Sequence, residues 1–475
     1  MSRIAPLLAS LAVLGGCTLG PRYHPPSPPA GAQAPLVSLN PTAETTAEAP
    51  DAWWRLYSDP LLDQYLAEAF AANDNLKAAE ANLTAARAVL EASRGGNYPS
   101  TTPEAGAVYG RDPVTEEILE IDGIKPQTIW LFDTVFDVSY ELDLFGRVRR
   151  SIEASKADAQ AAAAGRDILR ITVAAETARA YAQVCTLGEQ LSVAHHSLDV
   201  VTREARITQQ RREAGAASEF DVVRAQGLVA QVRSNIPPLE GQRRAALFQL
   251  AALLGRTPVH APAEAEACVT PPRLGALIPI GDGAALLKRR PDVRLADRRV
   301  AAATARVGVA IADLYPHISL TGFYGGVGVD TASLTRNAGL AWGVGPKISW
   351  AFPNQIIPRA RIHQARAGAD AALASFDSTV LQALKETEQA LATYGAELDH
   401  RQALAEAQER ARKAFDIAHG EFLAGSIPDL DLLTTEQVLV AADAAVAASD
   451  AALVQDQIAV FKALGGGWKA AEHSG

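Results

Sequence analysis

Cys17 is the residue whose surroundings most clearly specify a reaction. A basic start, Met1-Ser2-Arg3, leads into an apolar stretch over residues 4–14 and then Gly15-Gly16, the arrangement of a bacterial lipoprotein signal with small residues before its cleavage point. The thiol of Cys17 would then be acylated and become the mature N-terminus, residues 1–16 being removed; a plain signal peptide with an incidental cysteine is the alternative. Thr18 stands where Asp commonly marks retention in an inner membrane, which favours onward export to an outer one. The apolar stretch is too short to span a bilayer.

The other ionisable residues at recurring spacing lie in a stretch that comes twice. At an offset of 210, Gly215 falls on Gly425, Glu219 on Asp429, Phe220 on Leu430, Asp221 on Asp431 and Leu254-Gly255 on Leu464-Gly465. At an offset of 217, Asn75-Leu76 falls on Asp292-Val293, Ala79 on Ala296, Leu83 on Val300 and Tyr98-Pro99 on Tyr315-Pro316. A duplication of that length in 475 residues implies one structure of two similar halves. Gly215 followed by Ser218 and Asp221, and Gly425 followed by Ser426 and Asp429, read as a helix end followed by a helix start. Capping and the helix dipole alone favour Asp in a first turn, so each acid here has a structural reading beside any functional one.

Enzyme chemistry finds no support. His195-His196 and the lone His317, His363 and His419 have no ligand spacing, and Gly325-Gly326-Val327-Gly328 lacks the strand-then-helix context of a nucleotide loop. Neither a Gly-x-Ser-x-Gly elbow nor a set of nucleophile, base and orienter is present. No catalysis, metal or cofactor is expected, apart from the covalent lipid on Cys17. A net charge of −10, with no basic run interleaved with aromatics, argues against nucleic acid as a partner. Cys185 and Cys268 have no metal-like spacing; an oxidising compartment permits a disulfide between them and nothing in the sequence demands it.

These residues need elements to hold them. Residues 17–52, rich in Pro, Ala and Thr, read as an extended tether, and Trp53-Trp54 through Asp59-Pro60-Leu61 as aromatic anchors at the body's surface before a helix start. Residues 61–94 contain neither Gly nor Pro and read as helix, broken near Asn73-Asp74-Asn75. Residues 147–214 hold only Gly165 and Gly188 and no Pro, enough for roughly 100 Å of continuous helix, and residues 359–424 repeat the feature. Helices of that length must run along one another. Between them the pattern changes: residues 136–144 alternate apolar Phe136, Val138, Tyr140, Leu142 and Leu144 with polar Asp137, Ser139, Glu141 and Asp143, and residues 340–352 alternate likewise with small residues. Weaker strands over 99–111 and 316–329, with polar loops over 112–128 and 330–339, complete one hairpin per half. Four strands cannot close a membrane barrel alone, since single-chain barrels begin at about eight. The aromatic face of Phe136, Tyr140, Trp342, Trp350 and Phe352 suits lipid, so the hairpins are expected to pair with those of other copies.

With Trp53-Trp54, Asp59-Pro60-Leu61, Asn73-Asp74-Asn75-Leu76, the turn Leu142-Asp143-Leu144-Phe145-Gly146-Arg147, Arg290-Pro291-Asp292-Val293 leading to Tyr315-Pro316, and the closing segment 425–433, the chain resembles the TolC-like outer-membrane efflux channels. Cys17 and Gly20-Pro21-Arg22-Tyr23 place the resemblance nearest their lipoprotein branch, the OprM and NodT type. It covers nearly everything after the signal. The resemblance implies a mostly α fold with a membrane β-barrel portion, formed as a homotrimer. Each protomer gives four strands to a shared twelve-stranded barrel and its long helices to a periplasmic α-barrel. The tandem repeats would be residues 53–255 (hairpin about 99–144) and 286–468 (hairpin about 316–352), with a linker over 256–285 and a tail over 469–475.

It also implies an outer-membrane duct passing small toxic molecules. These would arrive from an inner-membrane transporter, commonly of the resistance-nodulation-division class, through a periplasmic adaptor. The exit duct of a type I protein-secretion system, and a lipid-anchored helical scaffold that never inserts, are the alternatives. Asp429 and Asp431 would form acidic rings at the periplasmic tip with Leu430 as an apolar constriction, Asp221 and Arg224 on the neighbouring helix pair, and Asp137, Ser139, Glu141 and Asp143 facing the barrel lumen. Where the branch tends to carry Asp after the Leu432-Leu433 pair, this chain has Thr434, which shifts the carboxylate ring to Asp431 or Glu436 or weakens it.

Overall fold

The structure, a computed structural model, describes residues 18–111 and 128–465 apart from 41, 42, 46, 48, 49, 276, 282 and 338. Cys17, most of the expected loop over 112–128 and the tail lie outside the described residues. The chain divides into two compact units that cut across both halves of the duplication: residues 1–26, 82–162 and 295–376 form one, and residues 27–81, 163–294 and 377–475 the other. Each half thus supplies a hairpin to the first unit and helices to the second.

The first unit is built on an antiparallel sheet. Numbering strands along the chain, β1 is Glu44–Thr45, β2 Ser100–Gly110, β3 Ile129–Glu141, β4 Ile278–Pro279, β5 His317–Gly328 and β6 Leu340–Ser349, and the sheet runs β2-β3-β5-β6. The register sets Pro103, Phe136, Tyr324 and Trp342 side by side, and Thr102, Asp137, Phe323 and Gly343 on the opposite face. Period-two patterning therefore extends from β3 to its neighbours. β3 begins seven residues before the strand expected from its alternation and stops at Glu141, short of Leu144. The reason is Asp143, whose carboxylate accepts from the backbone N–H groups of Val148 (2.9 Å) and Arg149 (3.0 Å) and so caps the long helix Arg147–Glu213.

Residues 18–26 do not behave as a free tether. Leu19 N–H donates to the Phe145 carbonyl at 3.3 Å, Arg150 Nε donates to the Leu19 carbonyl at 3.2 Å, and Tyr23 hydrogen-bonds Asp297. Gly20 is pressed so closely on Gly308 that a Cβ there would lie 2.7 Å from its Cα, and Gly20 has φ +87°. Only glycine fits both constraints. Ala157, Ala301 and Ala302 pack beneath Tyr23.

In the second unit the expected tether is again packed: Ala32 and Leu36 are buried, the Val37 and Ser38 N–H groups donate to the Glu388 carboxylate (2.8 and 2.9 Å), and β1 pairs in parallel with β4. Trp53 is not a surface anchor. It is 1% exposed and stacks on Phe461 with ring centroids 4.7 Å apart, because the 3-10 turn Trp53–Tyr57 turns its apolar side into the core. That core joins Leu62, Tyr65 and Leu66 to Tyr181, Leu250, Ile278, Leu391 and Ile458. Helices Pro60–Ala72 and Asp74–Gly95 are separated at Asn73, as the sequence predicts. Cys185 and Cys268 form a disulfide that pins the linker to the first long helix, beside Gly188, where a Cβ would lie 2.2 Å from the Cys268 carbonyl oxygen.

The duplication is visible atom by atom. Gly255 (φ +70°) and Gly465 (φ +64°) each end a helix: Arg256 N–H donates to the Ala251 carbonyl and Gly255 N–H to that of Ala252, and Gly465 N–H donates to that of Lys462. Asn73 Nδ2 donates to the Leu253 carbonyl at 3.1 Å, and Arg290, at the matching place in the second half, donates Nη1 to the Ala463 carbonyl at 2.6 Å. Residues 253 and 463 are again 210 apart.

Candidate functional site

The acids singled out by the sequence lie where the long helices Arg147–Glu213 and Ile356–Leu423 end and the helices Glu219–Ser234 and Asp429–Ala463 begin. Gly215 (φ +78°) and Gly425 (φ +75°) close the long helices with the same bond pair: Ala216 N–H to Arg211 O (2.7 Å) with Gly215 N–H to Arg212 O (2.9 Å), and Ser426 N–H to Glu421 O (2.9 Å) with Gly425 N–H to Phe422 O (3.0 Å). The next helices start differently. Ser218 and Asp221 form the expected capping box, Ser218 N–H donating to Asp221 Oδ2 at 2.9 Å and Asp221 N–H to Ser218 Oγ at 3.2 Å. Ser426 and Asp429 do not: Pro428 precedes the helix without a side-chain acceptor, and Asp429 is its first residue. The 210-residue offset explains this, since it sets Pro428, not Ser426, opposite Ser218.

Asp221 is thus engaged as a cap, and the Ser218 hydrogen bonds hold its carboxyl below the usual range. Leu430 and Asp431 are exposed, Arg224 is half-buried, and Arg212 pairs with Glu219 at 2.5 Å. Asp429 is half-buried and turned inward, accepting from Thr208 Oγ1 at 3.0 Å while its other oxygen is buried without a hydrogen bond. Burial raises its pKa. Glu436 is 1% exposed and neither carboxylate oxygen has a hydrogen-bond partner. Burial first, then the neighbouring Glu204 and Asp429 carboxylates, pushes its pKa up to about 8.

The sequence reading missed Glu204 and Thr208, and it named His419 only as a histidine without ligand spacing. Glu204 is buried on the first long helix, its pKa raised by burial, with His419 Nε2 3.6 Å away. Val201, Glu204, Ala205 and Thr208 share one helix face by spacing, and an acid on an otherwise apolar stripe was the available signal. Arg211 lies over the Phe422 ring at 4.2 Å, tying the two long helices at this end.

The helix Asp429–Ala463 is long and apolar enough to cross a membrane by length and composition. Its Asp443 and Asp450 nevertheless pair with Arg412 (3.0 Å) and Arg401 (2.8 Å) of the neighbouring long helix, which makes it a packed helix of the second unit.

In the sheet, Asp137 and Ser139 stand on the polar face, in register with Thr102 and Phe323, and with Ser100 and Thr321. Glu141 closes that row and is held by Arg147, Nε to Oε1 at 2.9 Å. Asp143 is not a lumen-facing strand residue; it lies beyond β3 as the helix cap described above. The other face carries Tyr109, Trp130, Phe136, Tyr324 and Trp342, all exposed. The strands β2, β3, β5 and β6 are 11, 13, 12 and 10 residues long, enough to cross a hydrocarbon layer of about 30 Å when tilted. Among the described residues, β2 and β6 each leave one edge unpaired.

An aromatic-faced sheet of membrane-spanning strands, joined to very long helices, is the fold of an outer-membrane channel. The solved outer-membrane channel OprN superposes with a TM-score of 0.86, at 34% identity over 95% of this chain and 100% of that one. The model of the family described as outer membrane efflux protein matches residues 65–256 and 284–466, one match per half. The chain belongs to that family, whose fold and members are channels rather than enzymes. Among relatives, the pyoverdine export outer membrane protein OpmQ of Pseudomonas putida is 30% identical over 97% of this chain and 96% of its own length. Nodulation protein T of Rhizobium leguminosarum bv. viciae is 28% identical over 96% and 92%.

Proposed function

We propose that three copies of this chain close their sheets into one barrel and conduct small molecules passively out of the periplasm. The duct would receive them from an inner-membrane transporter of the resistance-nodulation-division class through a periplasmic adaptor. The observation that carries this reading is the pair of edges, β2 and β6, left unpaired among the described residues on a sheet whose one face is aromatic and whose other is polar. Open strand edges are excluded from lipid, so the sheet must close with others. Relatives whose names describe efflux pumps and pyoverdine export favour small molecules as cargo over secreted proteins. In this reading a lipid on Cys17 anchors the N-terminus, and the end of the long helices, with Asp429, Leu430 and Asp431, is the periplasmic constriction.

The experiment is planar-bilayer conductance of the lipidated protein, with oligomeric mass measured in the same detergent, beside the Asp429→Ala and Asp431→Ala double variant. A trimer of small, cation-preferring conductance that rises in the variant is expected. A trimer whose conductance ignores the substitutions removes these residues from the gate, and a monomer without conductance removes the duct.

A further inference from the structure

The buried end of the helical unit holds a carboxylate that neither the capping pattern nor an acidic pore lining requires. Glu436 sits one turn and more inside the helix Asp429–Ala463, 1% exposed, with both oxygens unpartnered among the described residues. A buried carboxylate in that setting is tolerated only when neutral or paired. Leu433 on the same helix packs with Val201, Ala225, Leu228 and Val232, and Leu432 with Ala418 and Phe422, so the helix start is wedged among three other helices. The charges that act on Glu436 are both acids: Glu204 from the first long helix and Asp429 from its own. The nearby cations act on those two instead, His419 and Arg203 on Glu204, and Arg211 and Arg224 on Asp429, which also feels Asp221 of the helix Glu219–Ser234.

We propose that Glu436 is a proton-operated latch: protonated, it lets the start of the helix Asp429–Ala463 stay packed against the ends of the two long helices, and deprotonated, it drives that packing apart. As a regulator of opening, the latch rests on the reading of this end as the periplasmic constriction. The packed state binds a proton that the separated state releases. Packing is therefore strongest below the ordinary glutamate value and weakens as pH rises toward about 8, levelling off above it. The slope is at most about tenfold in the packing equilibrium per pH unit. Two unpartnered oxygens have no stabilising bond to lose on ionisation, so the new charge must find water, and the route to water is separation of the helices.

The test is hydrogen exchange of residues 425–440 in the lipidated oligomer, corrected for intrinsic rates, between about pH 6 and pH 9. Conductance is followed over the same range. In the native protein, protection of that segment should fall about tenfold or more across the range. Glu436→Gln, which keeps the shape and cannot ionise, should show a much flatter protection profile, and Glu204→Gln, which removes a charge that raises the Glu436 pKa, should make the fall smaller and let it level off at lower pH. His419→Gln, which removes the imidazole beside Glu204, should leave the fall in place if Glu436 carries it. Flat protection in the native protein, or an unchanged fall in Glu436→Gln, overturns the latch. Protection that responds as expected while conductance does not leaves the latch standing and overturns the gate reading instead.

Discussion

Arg290 and Asn73 occupy the same place in the two halves, and removing each should loosen a different helix. Arg290 is 7% exposed and donates to Ala463 O at 2.6 Å, Asp292 at 3.0 and 2.8 Å and Glu386 at 2.7 Å, with a longer contact to Ala383 O at 3.5 Å. Truncation to Ala strips the Ala463 carbonyl of its shorter hydrogen bond, the other being Thr387 Oγ1 at 3.3 Å. A buried acceptor so weakened costs about 1–3 kcal/mol, and the retained Thr387 bond puts the loss near the lower end. The ion pairs with Asp292 and Glu386 face water on the carboxylate side, 28% and 41% exposed, so each contributes under about 1 kcal/mol after screening. Arg290→Ala should then cost about 2–3 kcal/mol.

Asn73→Ala removes the bond to Leu253 O at 3.1 Å and the cap that Asn73 Oδ1 provides to the Asn75 and Leu76 N–H groups at 3.1 and 3.2 Å. The expected cost is about 2 kcal/mol. The assay is hydrogen exchange of the intact oligomer, read peptide by peptide. Arg290→Ala should deprotect the last turns of the helix Asp429–Ala463, and Asn73→Ala those of the helix Ile236–Leu253. If Arg290→Ala loosened the first-half helix instead, or if neither substitution changed exchange at its own helix end, the claim that one structural knot was duplicated would be wrong.

Reduction of Cys185–Cys268, 83 residues apart in sequence, should lower stability by up to about 4–5 kcal/mol on a chain-entropy estimate, read as a shift in the urea midpoint with and without reductant. Gly188→Ala should displace the same linker without touching the sulfurs, because its Cβ would meet the Cys268 carbonyl oxygen at 2.2 Å; limited proteolysis across residues 256–285 would report it. Trp342→Arg puts a charge on the aromatic face and should cost about 2–4 kcal/mol near mid-membrane, lowering the trimer fraction measured by mass in detergent. Asp137→Asn, on the polar face, should leave assembly intact and reduce cation preference in the bilayer.

Periodicity made the elements legible, and contact chemistry set their limits. Two strands of strict alternation and two stretches nearly free of Gly and Pro announced themselves, because side-chain period and helix propensity are local properties. Asp143 was misplaced for the same reason: alternation continues through Leu144, and only the helix beginning at Arg147 decides that the carboxylate turns to cap it. The Pro-rich segment over 18–52 looked like a tether because nothing in its composition is periodic, yet single contacts at Gly20, Tyr23, Val37 and Ser38 hold it in place. Glu436 shows the limit most sharply. In sequence it is one of several acids after the repeated glycine, a substitute for a missing aspartate in a solvated ring. In the folded chain it is 1% exposed, on a helix whose Leu432 and Leu433 pack against apolar side chains of other helices. A carboxylate facing a pore selects ions, whereas one facing the core must hold a proton or break the packing. Which of the two a residue does depends on a helical rotation of about 100° per residue, and the partners that fix that rotation, Val201 and Phe422 among them, lie far away in sequence.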